Sequence, residues 1–419
     1  MRWLLIFWMF VVSAVAYVDR VNISIAGESI AKEFHLTNVE LGWVFSAFIM
    51  GYALMQAPGG WLADRIGPRR VLTLGVIWWG VFTSMITFLS PSIGALVVVL
   101  IVLRFLLGAG EAVVYPASNC VVAAWIPTTE RGIANGLIFS GVGFGAGVTP
   151  PLITYFLLHY GWRASFWASA MLGLLAGAAW YFIARDSPEQ HPWVSAEERA
   201  LIRAGLPRDE RGKSGNGKLP WSAILSNYDL LAVTFSYFCY GYAAYIFFSW
   251  FFIYLSTVRG LNLRESSYYT MLPFLAMAMG SLIGGWCSDF LTRKFGERMG
   301  RCYFAAAATA LSALFIALGT QVASAQVASF VLAGGAGALY LAQSSFWSVS
   351  ADIGKSSAGS VSGVMNMGGQ LGGALTSSLT PYIANHYGWN ASFLAAAALG
   401  VAGALMWLTV DPARPPRKV

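Results

Sequence analysis

Four ionisable residues lie inside long apolar runs: Asp19 and Arg20 in one run, Arg104 and Glu111 in another. A charge at the middle of a bilayer costs about 2.5–3.5 kcal/mol. Four such charges cost on the order of 10 kcal/mol, comparable with the ~5–15 kcal/mol net stability of a whole protein. That load persists when the groups pair with one another or line a wet cavity. Arg104 and Glu111 are two helical turns apart and share a face, whereas the adjacent Asp19 and Arg20 point about 100° apart. The chemistry on offer is anion capture and proton exchange. Arginine is a planar, permanently charged fork that suits a carboxylate, and a carboxylic acid in a partly dry cavity exchanges protons near neutral pH. The competing reading is a set of buried ion pairs holding helices together, which is weak on energetic grounds because such pairs stabilise little.

The elements that position these residues follow from composition. Hydrophobic residues make up 57% of the 419 and charged residues only 11%, against about 25% charged in soluble domains. This excludes a soluble enzyme, a disordered scaffold and a disulfide-stapled secreted domain. The four cysteines, Cys120, Cys239, Cys287 and Cys302, show no CxxC spacing and read as packing residues. A crossing helix needs about 20 apolar residues. Twelve runs qualify, near 3–25, 41–63, 70–90, 93–117, 134–157, 163–184, 228–255, 268–290, 302–320, 324–350, 358–383 and 391–410. The net charge of +7 is a matter of topology, not a nucleic-acid footprint. Of the 26 Lys and Arg residues, twenty fall on the side of the termini and the middle loop, and only Lys32, Arg163, Arg259 and Arg264 on the other. The positive-inside rule then makes both termini cytoplasmic. Residues 2–16 have the outline of a signal peptide, but cleavage there leaves eleven spans and breaks the repeat described next.

Gly59-Gly60-Trp61-Leu62-Ala63-Asp64 recurs as Gly284-Gly285-Trp286-Cys287-Ser288-Asp289. His159-Tyr160-Gly161-Trp162-Arg163-Ala164-Ser165-Phe166 recurs as His386-Tyr387-Gly388-Trp389-Asn390-Ala391-Ser392-Phe393. The offsets, 225 and 227 residues, nearly coincide. The sequence therefore predicts an all-α membrane protein of twelve transmembrane helices in two pseudo-symmetric six-helix bundles, residues 1–184 and 227–419. Residues 185–226 form a polar linker containing Pro207-Arg208-Asp209-Glu210-Arg211, with a short helix at Ser195–Ala204 opened by a Ser195/Glu198 capping box. Paired bundles of this kind place the substrate at their interface.

Residues 60–70, Gly-Trp-Leu-Ala-Asp-Arg-Ile-Gly-Pro-Arg-Arg, resemble the hallmark loop of the major facilitator superfamily, and Gly285 through Asp289 to Arg293 is a looser copy. The resemblance implies that Asp64, Arg65, Arg69 and Asp289 latch the bundles at the cytoplasmic side. Tyr17-Val18-Asp19-Arg20-Val21-Asn22, Arg104 with Glu111, and Pro127-Thr128-Thr129-Glu130-Arg131-Gly132 resemble the anion:cation symporter family. That family includes bacterial carriers of galactonate, glucarate and hexuronates and animal carriers of sialic acid and glutamate.

The resemblance implies that Arg20 clamps a substrate carboxylate, with Tyr17 and Tyr52 bonding to it. Asp19 and Glu111 would be the protonatable acids and Arg104 the partner that releases Glu111. Ser344, Trp347 and Asn366 would contact substrate hydroxyls, with Gln343 and Gln370 as further polar candidates. The sequence departs from some sugar-acid members at Ser140-Gly141-Val142-Gly143, where they carry a glutamine. The aromatic stripe of the seventh span (Tyr237, Tyr240, Tyr242, Tyr245, Phe247, Phe248, Trp250) reads mostly as packing and lipid-facing residues. Glycine clusters at Gly141/Gly143/Gly145/Gly147 and Gly368/Gly369/Gly372/Gly373 are read as letting helices rock closely.

The expected activity is proton-coupled import of a small organic anion, a hexuronate, aldonate or aldarate, by a monomer in a bacterial inner membrane. No cofactor or metal is expected beyond the coupling protons. An aromatic or small dicarboxylic acid is the alternative substrate. Drug efflux is a more distant alternative, and a membrane receptor or enzyme more distant still, because no metal cluster, nucleophile constellation or phosphate loop is present.

Overall fold

The computed structural model describes residues 1–206, 219–251, 254–261, 263–412 and 414. Among these residues all regular structure is helical. Six rods make the first half: α1 (Arg2–Phe34), α2 (Asn38–Ile66), α3 (Pro68–Ile86), α4 (Leu96–Glu111 and Val114–Trp125), α5 (Arg131–Tyr160) and α6 (Trp162–Ile183). Six more make the second: α7 (Tyr228–Ser249), α8 (Leu263–Phe295), α9 (Phe304–Gln321), α10 (Ala325–Leu341 and Gln343–Gly354), α11 (Ala358–Tyr387) and α12 (Trp389–Thr409). Among the described residues, nine stretches are long and apolar enough to cross a membrane on length and composition alone, one of them the fused 325–377. In α2, Gln56, Pro58 and adjacent glycines dilute the apolar run, yet the helix forms because its neighbours bury it.

The helices outlast the apolar runs. The α1 helix continues to Phe34 and is opened out by His35 in a left-handed conformation. The tail expected for the seventh span is instead a π-turn at Tyr254–Val258. The interruption of α4 after Glu111 has a covalent cause: Pro116 has no N–H to return to the carbonyl of Ala112. The matching interruption of α10 falls at Ala342.

The two repeated segments occupy equivalent places. His159 and His386 each bond through Nδ1 to the carbonyl four residues back, at 2.9 and 2.8 Å, and lie against Tyr155 and Tyr382. Gly161 and Gly388 follow them with φ of 79° and 85°, a region that costs a side-chain-bearing residue and turns α5 into α6 and α11 into α12.

The halves meet along two seams, α2 against α11 and α5 against α8. At Gly60 a Cβ would lie 1.9 Å from the Gly359 carbonyl oxygen, and at Gly285 2.3 Å from that of Gly132, so only glycine permits either approach. The glycine clusters expected to serve rocking are divided in use. Gly141 and Gly145 pack on α1 and Gly143 on α8, while Gly368, Gly369, Gly372 and Gly373 pack on α7 within the second half.

The linker contains a helix at Ala196–Gly205, as expected, and Ser195 Oγ accepts from the Glu198 amide at 3.1 Å. The reciprocal half of the capping box is not made. Glu198 turns instead to the Arg2 amide at 3.0 Å, and Arg2 also bonds Glu130, which docks the linker helix on the first half. Burial works to raise the Glu198 carboxyl, but the Arg2 amide and nearby positive charges outweigh it and hold the group below its usual range. The Pro207–Arg211 cluster lies outside the described residues.

Candidate functional site

Arg20 lies on α1 one turn after Tyr17, and its guanidinium is enclosed by aromatic rings from two helices. It sits 4.7 Å from the Tyr17 ring centroid, 4.4 Å from that of Tyr52 and 5.1 Å from that of Phe48. Glycine makes this enclosure possible. At Gly51 and Gly108 a Cβ would strike the Phe105 and Phe48 carbonyls, so α2 and α4 touch backbone to backbone and bring Phe48 and Tyr52 over the charges. Arg20 Nη1 donates to the Tyr17 hydroxyl at 3.3 Å and Nη2 to Glu111 Oε1 at 2.6 Å.

The pairing differs from expectation. Glu111 is held by Arg20, not by Arg104. Seven residues of helix separate Arg104 and Glu111 by about 10.5 Å along the axis, whereas Arg20 on α1 arrives at the level of Glu111. Arg104 lies over the Phe48 ring at 4.7 Å, its Nε and Nη1 without hydrogen-bond partners, and attracts Asp19 through space. Asp19, pointing away from Arg20 as its position requires, accepts from Thr83 at 2.9 Å. All four charges belong to the first half and are buried, Arg20 least so at 14% side-chain exposure.

Tyr17 and Tyr52 form the near wall of a cavity of about 470 Å³ between the halves. Its far wall comes from α7, α10 and α11: Tyr237, Tyr240, Tyr245, Phe248, Tyr340, Gln343, Trp347, Asn366 and Gln370. The Tyr237 hydroxyl accepts from Gln343 Nε2 at 3.1 Å and from Trp347 Nε1 at 3.3 Å. Tyr245 donates to Gln370 at 2.7 Å, and Asn366 donates to Gln56 across the seam at 2.8 Å. Ser344 is fully buried but is not part of the wall. The α7 stripe is used differently from the expectation: Tyr237, Tyr240, Tyr245 and Phe248 line the cavity, while Tyr242 and Phe247 pack in the core. Tyr115 and Tyr340 were not singled out from sequence; Tyr115, four residues after Glu111, was within reach of the same helical argument. At the position of the family's glutamine, Val142 contributes an apolar patch.

At the linker end both repeated aspartates cross between halves. Asp64 accepts from the Gly359 amide at 3.0 Å and the Ser360 amide at 2.7 Å, at the N-terminus of α11. Asp289 accepts from the Gly132 amide at 2.9 Å and the Ile133 amide at 2.6 Å, at the N-terminus of α5. A carboxylate there satisfies orphan amides and the positive end of the helix dipole. Arg65 and Arg69 do not share this latch. Arg65 lies over Trp61, and Arg69 stacks on Tyr181 and bonds its carbonyl, both within the first half. The basic partners are others: Arg301 bonds Asp289 at 2.8 Å, and Arg131 pairs with Asp352 across the halves. Asn119–Ser350 and Asn135–Ser348 bonds complete the closure. Hydrogen bonds from Gln56–Asn366 toward the linker join the halves, so that end is closed.

The family profile described as Major Facilitator Superfamily matches residues 9–377 and again 294–419. A probable sulfoacetate transporter of Cupriavidus necator is 34% identical over 95% of this chain and 91% of its own length. The chloroplastic ascorbate transporter of Arabidopsis thaliana is 32% identical over 97% and 74%. A probable galactarate/D-glucarate transporter of Bacillus subtilis is 33% identical over 70% and 66%. Among solved structures, a proton:xylose symporter superposes with a TM-score of 0.72 at 17% identity over 97% and 96% of the two chains. The Escherichia coli fucose:proton symporter superposes with 0.69 at 15% over 96% and 97%. At those identities the structures speak for the fold alone, that of two six-helix bundles. The fold and the relatives are those of transporters, not enzymes, and this chain is a multi-pass membrane protein of the major facilitator superfamily, in the branch of the anion:cation symporters.

Proposed function

We propose that the protein imports an organic acid together with protons by alternating access, and that Arg20 is the anion clamp. The observation that carries this is the 2.6 Å Arg20–Glu111 pair directly behind Tyr17 and Tyr52, at the wall of the tyrosine-lined cavity between the halves. An incoming carboxylate and Glu111 compete for one guanidinium. A proton arriving on Glu111 dissolves the pair and frees Arg20 for the substrate. Deprotonation restores the pair and expels the anion. Arg104 and Asp19 balance each other nearby, so the empty site and the fully loaded site are both neutral and can reorient, while half-loaded forms carry an uncompensated charge. Asp19 is the second acid in reach of this exchange.

The hydroxyl- and amide-bearing far wall favours a sugar acid over a plain aromatic acid, and relatives named for galactarate and glucarate support the same class. In this reading the protein works as a monomer without a cofactor, protons being the coupling ion. It sits in a bacterial inner membrane with the linker end and both termini cytoplasmic, so the closed latch shuts the cytoplasmic side. The test is purified protein in liposomes with a trapped pH dye. Acidification on adding galactonate or glucuronate outside, lost in Arg20→Ala, is the expected result. Absence of acidification with every acid tried would overturn the reading.

A further inference from the structure

The two walls of the cavity differ in charge, and the difference limits what can occupy it. The first half supplies Arg20 behind Tyr17 and Tyr52. Every residue of the opposite wall is neutral: tyrosines, Gln343, Trp347, Asn366 and Gln370. The sequence extends this beyond the wall. In the second half, lysine, arginine and histidine occur at Arg259 and Arg264, from Arg293 to Arg301, at Lys355 and His386, and from Arg414 onward, which are the ends of helices and the loops. None falls within the membrane-embedded middle of α7, α8, α10 or α11. Arg104 is no substitute: Arg20 lies directly against the lining residues Tyr17 and Tyr52, whereas Arg104 sits beneath Phe48, which is not itself part of the wall.

What the far wall does offer is unfilled hydrogen-bonding capacity. The Tyr237 oxygen already accepts two bonds, from Gln343 and Trp347, which leaves its own O–H to donate. Gln343 Oε1 is buried without a hydrogen-bond partner. A buried polar group left unpaired is costly, so the site rewards a ligand carrying neutral donors and acceptors there. A second carboxylate at the same place would meet one or two neutral donors, the Gln343 oxygen facing it, and no cation. Burying an anion on those terms is unfavourable.

We infer that the substrate is a monoanion: one carboxylate, placed at Arg20, on an uncharged hydroxyl-bearing body read by the Tyr237–Gln343 pair. This rests on the anion-import reading and narrows it, keeping aldonates and hexuronates and removing aldarates and other dicarboxylates.

The test compares acids of one carbon skeleton that differ in a single terminus, galactonate against galactarate and glucuronate against glucarate, by dye acidification and by competition for labelled uptake in proteoliposomes at pH 7. The monoanion of each pair is expected to compete at least tenfold more strongly. A Gln343→Lys variant, checked for folding by gel filtration, is expected to narrow or reverse that ratio by placing a cation on the far wall. Equal or stronger competition by the dianions in the unaltered protein would overturn the inference while leaving anion import standing, whether or not the lysine variant folds. If no acid is taken up, the import reading itself falls, and this inference with it.

Discussion

The two halves of the molecule are nearly interchangeable at the linker end and unlike each other at mid-membrane. Asp64 and Asp289, from the two copies of one repeated segment, each accept two backbone amides at the start of a helix in the opposite half. Gly60 and Gly285 make the matching close approaches. At the level of the cavity the correspondence ends: the first half carries Asp19, Arg20, Arg104 and Glu111, and the second carries none of their kind. The gate therefore works by symmetry, since closing an end takes the same bond from both sides. In the proposed mechanism binding works by asymmetry, with charge and proton handled by one half and the body of the ligand by the other.

The largest break in that division should come from Arg20. Arg20→Ala removes the cation directly behind Tyr17 and Tyr52 and leaves Glu111 buried without its partner, a loss of about 3–5 kcal/mol for a buried pair. Uptake in proteoliposomes should fall more than a hundredfold. Arg20→Lys should rescue little of it, because an ammonium cannot hold Tyr17 and a carboxylate in the fork that a guanidinium offers. A single neutral substitution in α7, α10 or α11 with an equal effect would show that the halves do not divide the work this way.

Glu111→Gln should separate coupling from binding. Arg20 is then free whatever the pH, so counterflow exchange of labelled substrate should persist within a few-fold of normal while accumulation driven by a pH gradient disappears. Retained pH-driven accumulation would assign the proton to Asp19 instead.

The two latches allow a finer comparison. Asp64→Asn and Asp289→Asn each weaken carboxylate contacts at a helix N-terminus, where a charge is worth about 0.3–1 kcal/mol, and up to about 2 when partly buried. Asp289 also faces Arg301, whose side chain is 1% exposed, so its loss strands a buried cation. Thermal unfolding in detergent should drop further for Asp289→Asn than for Asp64→Asn. Equal drops would mean that Arg301 finds adequate partners in Ser288 and the Thr128 carbonyl alone.

How much of this was legible in the sequence depends on whether a residue acts within its own helix or across to another. The twelve spans, the repeat and the face shared by Tyr17 and Arg20 follow from periodicity and composition, and the structure shows them. The partner of Glu111 did not follow. The family resemblance nominated Arg104, on the face it shares with Glu111, and only the packing of α1 against α4 shows that Arg20 reaches it first. The same limit applies to Arg65 and Arg69, which the resemblance placed in a latch and packing turns toward Trp61 and Tyr181. It applies again to the α7 aromatics, because a helix with tyrosines on most faces carries no periodic signal of which face meets a cavity.

The smallest effect should come from Tyr237, and it is the one that sharpens the role of the neutral half. Tyr237→Phe keeps the ring stacked on Tyr240 at 5.1 Å but removes the oxygen that Gln343 and Trp347 both use. A neutral hydrogen bond is worth about 0.5–1.5 kcal/mol, so KM for a hydroxyl-bearing acid should rise about three- to tenfold. The maximal rate and the pH dependence of uptake should stay as they were, because no charge or proton passes through this residue. A carboxylate without hydroxyls should be transported by the variant as well as by the unaltered protein. An equal loss for both kinds of substrate would mean that Tyr237 serves only to pack α7 against α10, and the hydroxyl-reading role would then have to move to Tyr240 and Gln343.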